Sequence, residues 1–320
     1  MVRPLRQAQR KNRFTAFLRA CVKHRNLLLM VLPALLTFIV FRYGAMFGLS
    51  MAFVDYKAKI GQSFFQNVLS SKWVGLKYFE QFLTSLNGLQ VLGNTLIISL
   101  YKIVFCFPAP ILLAILLNEI QSIRFKKTVQ TITYLPHFIS WVVLAGILRM
   151  VLSPDYGVAV AVANLFGAKP INFIGDKNYF RGLLVVTEIW REVGWNSIIY
   201  LAALSGIDPG LYEAAIIDGA GRFKRILHVT LPCLIPTIVI MLILRTGTIM
   251  DAGFDQVYNM YNNSVRSVAE ILDTYIYEKG IIDTKYSYTT AIGLFKSVIG
   301  LGMVLLTDRL AKGLGQQGIA

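Results

Sequence analysis

The chain has 320 residues, 55% of them hydrophobic and 15% charged, more apolar surface than a soluble domain of that length can cover, so the composition points to a polytopic membrane protein. Its formal net charge of +15 does not make nucleic acid an expected partner, because the basic residues gather beside apolar runs, where they meet anionic headgroups and set topology. Cys21, Cys106 and Cys233 border or lie within apolar segments without CxxC spacing, so neither a disulfide framework nor a metal site is expected.

Residues 1–26 are a basic arm carrying Arg3, Arg6, Arg10, Lys11, Arg13, Arg19, Lys23 and Arg25 without a single acid. It reads as a topogenic cytoplasmic tail rather than a docking element. The apolar run behind it is too long for a signal peptide and no small-residue cleavage site follows, so it is expected to stay as the first span. A bilayer core of about 30 Å takes about 20 apolar helical residues. Six stretches qualify, roughly Leu27 to Leu49, Val91 to Leu117, Thr128 to Leu152, Gly182 to Leu204, Cys233 to Met250 and Tyr288 to Thr307. The expectation is an all-α polytopic membrane protein with six transmembrane helices, residues 27–320 forming one transmembrane domain. Positive-inside bias puts both termini in the cytoplasm, together with the Arg124, Lys126, Lys127 loop and the Arg222, Lys224, Arg225 loop. Segments 53–90, 153–180 and 251–287 then lie outside, the last rich in acids. Trp73, Tyr78, Trp141, Trp190 and Trp195 sit near span ends, where amphipathic rings settle at headgroup level; Trp190 and Trp195 lie deeper, within reach of a ligand.

The most informative segment is the polar loop 206–232. Asp208-Pro209 starts a short helix, since the Asp side chain accepts from the first free amides and Pro has no amide to leave unpaired. Leu211 and the Ala214-Ala215 pair offer a close-approach surface, Glu213 favours the helix start, and Gly219 permits the left-handed turn that ends it. Arg222 to Arg225 begin a second helical stretch before Pro232 and Pro236. An ordinary amphipathic surface loop needs only basic and apolar residues. It does not account for Glu213, the paired alanines and Gly219 at this spacing.

The pattern Glu213-Ala214-Ala215, three residues including Asp218, Gly219, nine residues, then Val229-Thr230-Leu231-Pro232 resembles the coupling loop of type I ABC importer permeases, with Val229 where the family has Ile. Ile199 to Leu204 through Asp218 to Gly221, and Trp73 to Phe79, resemble the carbohydrate branch, which includes permeases for polysaccharide-derived oligosaccharides such as the alginate importer subunit. The resemblance covers the chain from Leu27 onward. It implies the type I permease fold, a second homologous permease, two cytoplasmic ATP-binding cassette subunits that bind ATP and Mg, an external solute-binding protein and an oligosaccharide substrate. The helix Leu211 to Gly219 would dock in a cleft of one ATPase with Glu213 as the polar contact, and Leu211, Glu213, Ala214, Ala215, Asp218, Gly219 and Arg222 form the coupling set.

Ionisable residues inside the spans mark the second candidate site. A charge at mid-bilayer costs roughly 2.5 to 3.5 kcal/mol, so each needs a partner or a watery cavity. Lys102, Arg245 and Lys296 lie about 16, 8 and 12 Å below the outer ends of their helices. Glu188 and Arg191 at i,i+3 spacing read as an internal ion pair, and Arg149 as a snorkelling side chain. That leaves at least one of Lys102, Arg245 and Lys296 to line a path for a carboxylate-bearing sugar, Arg245 first because a guanidinium grips a carboxylate through two parallel hydrogen bonds. Glu188, Trp190, Trp195, Phe254 and Tyr258 complete the candidate path.

No GxxxxGKS/T phosphate loop, no GxSxG and no metal-spaced His, Cys or carboxylate cluster occurs. The chain reads as a subunit without catalytic residues or a cofactor of its own. A permease for neutral sugars or another small solute, an ion-coupled secondary transporter and a membrane enzyme are the competing classes; the last lacks a catalytic constellation.

Overall fold

The computed structural model describes residues 23–167, 169, 171–313 and 315. Most of the basic arm lies outside them, as does Cys21. The chain divides into two compact units, residues 1–75 and 76–320.

In the first unit a long apolar helix, α1 (Arg25–Phe53), leads into β1 (Val54–Asp55), which pairs antiparallel with β2 (Lys72–Trp73). Between them lies α2 (Phe64–Ser70), whose start is a reciprocal cap: Ser63 accepts from the Gln66 amide while the Gln66 side chain accepts from the Ser63 amide. Phe53 stacks on Trp73 with centroids 5.7 Å apart. The two-residue ladder was not expected in an all-α chain; it ties the base of the excursion 56–71 instead of building a larger sheet.

The second unit runs through α3 (Lys77–Thr84), α4 (Leu86–Asn118), α5 (Ile123–Phe138), α6 (Trp141–Val151), α7 (Val158–Leu165), α8 (Lys177–Ser205), α9 (Pro209–Ile217), α10 (Arg222–Gly247), α11 (Phe254–Met260), α12 (Arg266–Ala269), α13 (Leu272–Tyr277) and α14 (Tyr286–Gly313). Among the described residues, four helices are long and apolar enough to cross a bilayer: α1, α4, α10 and α14. The expected third span is instead broken, with α5 and α6 meeting at 102°. Pro136 sits in the last, tighter turn of α5, Ile139 is extended, and the Ser140 hydroxyl accepts from the Val143 amide to restart the helix. The expected fourth span is α8, a 29-residue helix whose Lys177, Arg181, Glu188, Arg191 and Glu192 remove it from the apolar class. The fold is thus all-α and multi-spanning.

Helix α8 is the axis of the second unit, packed mainly against the second half of α4 and also against α5 and α10. Phe180 and Leu184 near its start join one buried cluster with Ile98, Ala252 and Val257. Tyr200 and Leu204 near its end join another with Ile111, Ala114 and Leu234. Outward, Leu112, Leu116, Val186, Leu301 and Leu305 are exposed, a surface suited to acyl chains. Gly194 lets α8 touch α5 backbone to backbone: a Cβ there would stand 2.2 Å from the Thr133 carbonyl oxygen. Gly194→Ala should therefore force the helices apart and cost about 1–3 kcal/mol, seen as a lowered thermal midpoint of the purified protein in detergent. An unchanged midpoint would mean that this contact is looser than drawn.

Candidate functional site

Helices α4, α8 and α10 bring Lys102, Glu188 and Arg245 together between the two buried clusters. Lys102 opens a widened π turn, Lys102–Cys106, in α4, a distortion that recurs at functional sites. Its side chain is 1% exposed. The ammonium donates to Gln256 Oε1 at 2.5 Å and to Glu188 Oε2 at 3.3 Å. Gln256 in α11 is itself fixed, its amide donating to the Leu184 carbonyl (2.7 Å) and to Thr187 Oγ1 (2.9 Å). Gly253, three residues before it, has φ +92°, a backbone conformation that requires glycine, and an added Cβ would lie 2.5 Å from Lys102 Nζ and displace the ammonium.

Arg245 reaches the other oxygen of the same carboxylate, but only to 3.9 Å, well outside the ~2.7–2.9 Å of a charge-assisted hydrogen bond. Its side chain is 36% exposed, against 16% for Glu188. Among the described residues, its guanidinium donates no hydrogen bond. The free donors face a cleft of about 250 Å³ lined by Glu188, Glu192, Asn196, Tyr200, Arg245 and Thr248 over an apolar floor that includes Phe107 and Met241. One carboxylate thus serves two cations. The arrangement can accept a further anion at Arg245.

The expected Glu188–Arg191 pair does not form. Successive turns of α8 point the two side chains apart: Glu188 faces α4 and α10, while Arg191 pairs with Glu192 and donates to the carbonyls of Ile139 (3.0 Å) and His137 (3.0 Å). Its guanidinium also lies 5.0 Å from the Trp141 ring centroid. Arg191 therefore satisfies backbone left open by the break between α5 and α6. Arg149 donates to the Asn259 carbonyl at 2.7 Å.

In the loop 206–232, α9 begins as the sequence predicts, with Asp208 Oδ1 accepting from the Gly210 amide at 3.0 Å and Pro209 as the first residue. It closes on Gly219 at φ +74°, where the Gly219 amide donates to the Ile216 carbonyl (3.0 Å) and the Ala220 amide to that of Ala215 (2.9 Å). The Tyr212 hydroxyl lies 3.0 Å from Thr230 Oγ1, tying α9 to the buried part of α10. Leu211, Glu213, Ala214, Asp218 and Arg222 are exposed and Ala215 half-buried. So are three residues that the sequence reading passed over: Ile216, Ile217 (85%) and Phe223 (77%). The helix that enters α10 runs without interruption from Arg222 through Pro232 and Pro236.

Residues 106–316 match the family described as the binding-protein-dependent transport system inner membrane component. The chain belongs to that family. The permease is 44% identical to the polygalacturonan/rhamnogalacturonan transport system permease protein YteP of Bacillus subtilis over 93% of its own length and 91% of that protein. It is 41% identical to the Bacillus subtilis protein LplB over 95% and 94%. Among solved structures it is similar to a chain of a bacterial alginate ABC transporter in complex with an alginate pentasaccharide-bound periplasmic protein. That likeness has TM-score 0.86 and 36% identity, covering 94% of the permease and 99% of the other chain. The all-α, multi-spanning fold is therefore that of type I ABC importer permeases, and the permease is a membrane subunit of such a system.

The remaining candidates separate. Lys296 in α14 is held by Asp273 at 2.6 Å and by Asp251, two carboxylates that the sequence places in an outer segment. Trp195 stacks on His137 with centroids 4.4 Å apart, and His137 bonds Glu192 at 2.8 Å. Neither Trp190 nor Trp195 lines the Arg245 cleft. Phe254 and Tyr258 stack at 5.2 Å, and Tyr277, missed in the sequence, closes on Tyr258 at 5.1 Å. Phe254 and Tyr277 then wall a hollow of about 350 Å³ with Asp273 and Tyr286. In the same segment Arg266 is clamped between Glu270 (2.7 Å) and Glu278, and these bonds hold its guanidinium above the ordinary arginine value, the hydrogen bond to Glu270 first.

Proposed function

We propose that the permease moves oligosaccharides, acidic ones in particular, inward across the bacterial inner membrane by alternating access driven by partner ATPases. One observation carries the acidic preference: the Arg245 guanidinium faces the cleft with free donors while the carboxylate it approaches, Glu188, is shared with Lys102. A uronate carboxylate fits it through two parallel hydrogen bonds. Support for a sugar comes from the polygalacturonan/rhamnogalacturonan and alginate names of the relatives and from the Phe254, Tyr258 and Tyr277 platform above Asp273. A pyranose can stack its apolar face on such rings and direct hydroxyls to a carboxylate.

On this reading the chain crosses six times, with the α5–α6 pair as a broken third span and α8 as a fourth. At about 1.5 Å per residue α8 spans roughly 43 Å, and its charges turn inward to partners. Both termini lie in the cytoplasm. The exposed apolar tip of α9 docks in one of two ATP-binding cassette subunits, which carry the ATP and Mg. A second permease completes the membrane pathway, and an external solute-binding protein delivers the substrate. ATP closes the ATPases, α9 moves with its partner, and the helices pivot about their packed clusters to open the cleft outward; hydrolysis resets it.

The test is uptake by the assembled importer in proteoliposomes of digalacturonate and of its uncharged methyl ester. Arg245→Ala should lower uptake of the acid about ten- to hundredfold, the worth of one charge-assisted bond, and leave the ester nearly unchanged. Equal losses for both would reject charge selection and favour a neutral-sugar permease.

A further inference from the structure

Glu188 stands beside the guanidinium that the proposed function assigns to the substrate carboxylate. Its Oε2 is bonded to Lys102, which is almost fully buried and also fixed by Gln256, whereas its Oε1 only approaches Arg245, at 3.9 Å. The two halves of the carboxylate are therefore unequal. The Lys102 side is anchored between helices, while the Arg245 side is open to the cleft and electrostatically engaged without a full hydrogen bond.

We propose that Glu188 is the specificity-determining residue of this cleft, a built-in anion that occupies Arg245 when the path is empty and that only a multiply contacting acidic oligosaccharide displaces. The inference rests on the assignment of Arg245 to the substrate path. A ligand carboxylate at the free donors of Arg245 takes over the guanidinium, and Glu188 keeps its neutralising role through Lys102 alone. An anion that offers nothing but charge must compete with a carboxylate already in place at no translational cost. An oligosaccharide brings further contacts along the cleft, to Asn196, Tyr200 and Thr248, and wins that competition through the sum of them. Without such a resident anion, a half-exposed guanidinium inside a membrane path would hold any small carboxylate that reached it. Specificity here comes from the repulsive element as much as from the attractive one.

The probe is free galacturonate, a single uronate, added in about hundredfold excess during uptake of digalacturonate by the assembled importer in proteoliposomes. Inhibition at the solute-binding protein is the same for every permease variant, so differences between variants report the cleft. Wild type should show little additional inhibition. Glu188→Gln should become inhibited by galacturonate at least about tenfold more strongly, Glu188→Asp should restore resistance, and Glu188→Gln should gain no sensitivity to the uncharged methyl ester of galacturonate. Because Glu188→Gln strands the Lys102 charge, the double variant Lys102→Met/Glu188→Gln is measured beside it; replacing both members of a buried pair by neutral groups is tolerated better than removing one. It should show the same gained sensitivity. Absence of that gain in variants that still co-purify with the ATPase overturns the proposal, and so does failure of both variants to assemble, which would make Glu188 a brace between helices. Equal loss of acid and ester in Arg245→Ala defeats the underlying function reading instead, whatever the Glu188 variants do.

Discussion

Replacing Leu211 and Ile217 together by Asp should abolish ATP-driven uptake while leaving the permease folded in the membrane. Both side chains are exposed, so neither contributes to a buried core, and exposed substitutions of this kind move stability by about half a kcal/mol or less. Against a partner the balance differs. Each large aliphatic side chain gains about 1.5–3 kcal/mol when fully covered, and a carboxylate put in its place must be desolvated without a counter-ion. Losing both anchors weakens docking by at least about 3 kcal/mol, more than a hundredfold in affinity. The measurement is co-purification of the ATPase with the tagged permease, followed by uptake, with the thermal midpoint of the isolated permease as control. Retained ATPase at wild-type stoichiometry would remove α9 from the interface, and with it the reading of loop 206–232 as the coupling element.

Lys102→Met should be the most damaging single substitution in the second unit. The side chains are of similar length, so no large cavity opens and the cost is electrostatic. Glu188 is left inside the protein with only the distant Arg245, and the Gln256 carbonyl loses its donor at 2.5 Å. Breaking a buried pair from one side costs about 3–5 kcal/mol, whereas removing both charges is far milder. Lys102→Met should lower the unfolding midpoint steeply in detergent, and Lys102→Met/Glu188→Gln should recover most of the loss, giving a large coupling in a double-mutant cycle. Additive losses would show that the ammonium and the carboxylate do not depend on each other.

The parts of this protein that could be read from sequence are those built from local rules. The Asp208-Pro209 start and the Gly219 stop of α9 need only neighbours within a few residues, and both lie where the spacing puts them. The long apolar helices follow from composition alone. The site that depends on tertiary proximity was legible only as a list of ionisable residues. Nothing local says that Glu188 faces α4 and α10 while Arg191, one turn on, seals the break after Pro136; i,i+3 spacing suggested the opposite pairing. Lys296 found its anions in Asp251 and Asp273, residues of the segment between α10 and α14. The exposed Ile216, Ile217 and Phe223 carry a readable signal, apolar residues inside a charged loop, that the better-known Glu-Ala-Ala pattern overshadowed.

The short bond between Tyr212 and Thr230 has a mechanical consequence. On the proposed docking of α9, this bond passes thrust from the loop into α10, a rod that carries a π turn at Ile226–Thr230 and Pro236 in its interior. Fifteen residues further along that rod, about 22 Å at helical rise, stands Arg245. Engine and cargo would then communicate through one helix, and how far Pro236 lets it bend between Thr230 and Arg245, rather than any chain of side-chain rearrangements, would set how faithfully one stroke becomes one delivery.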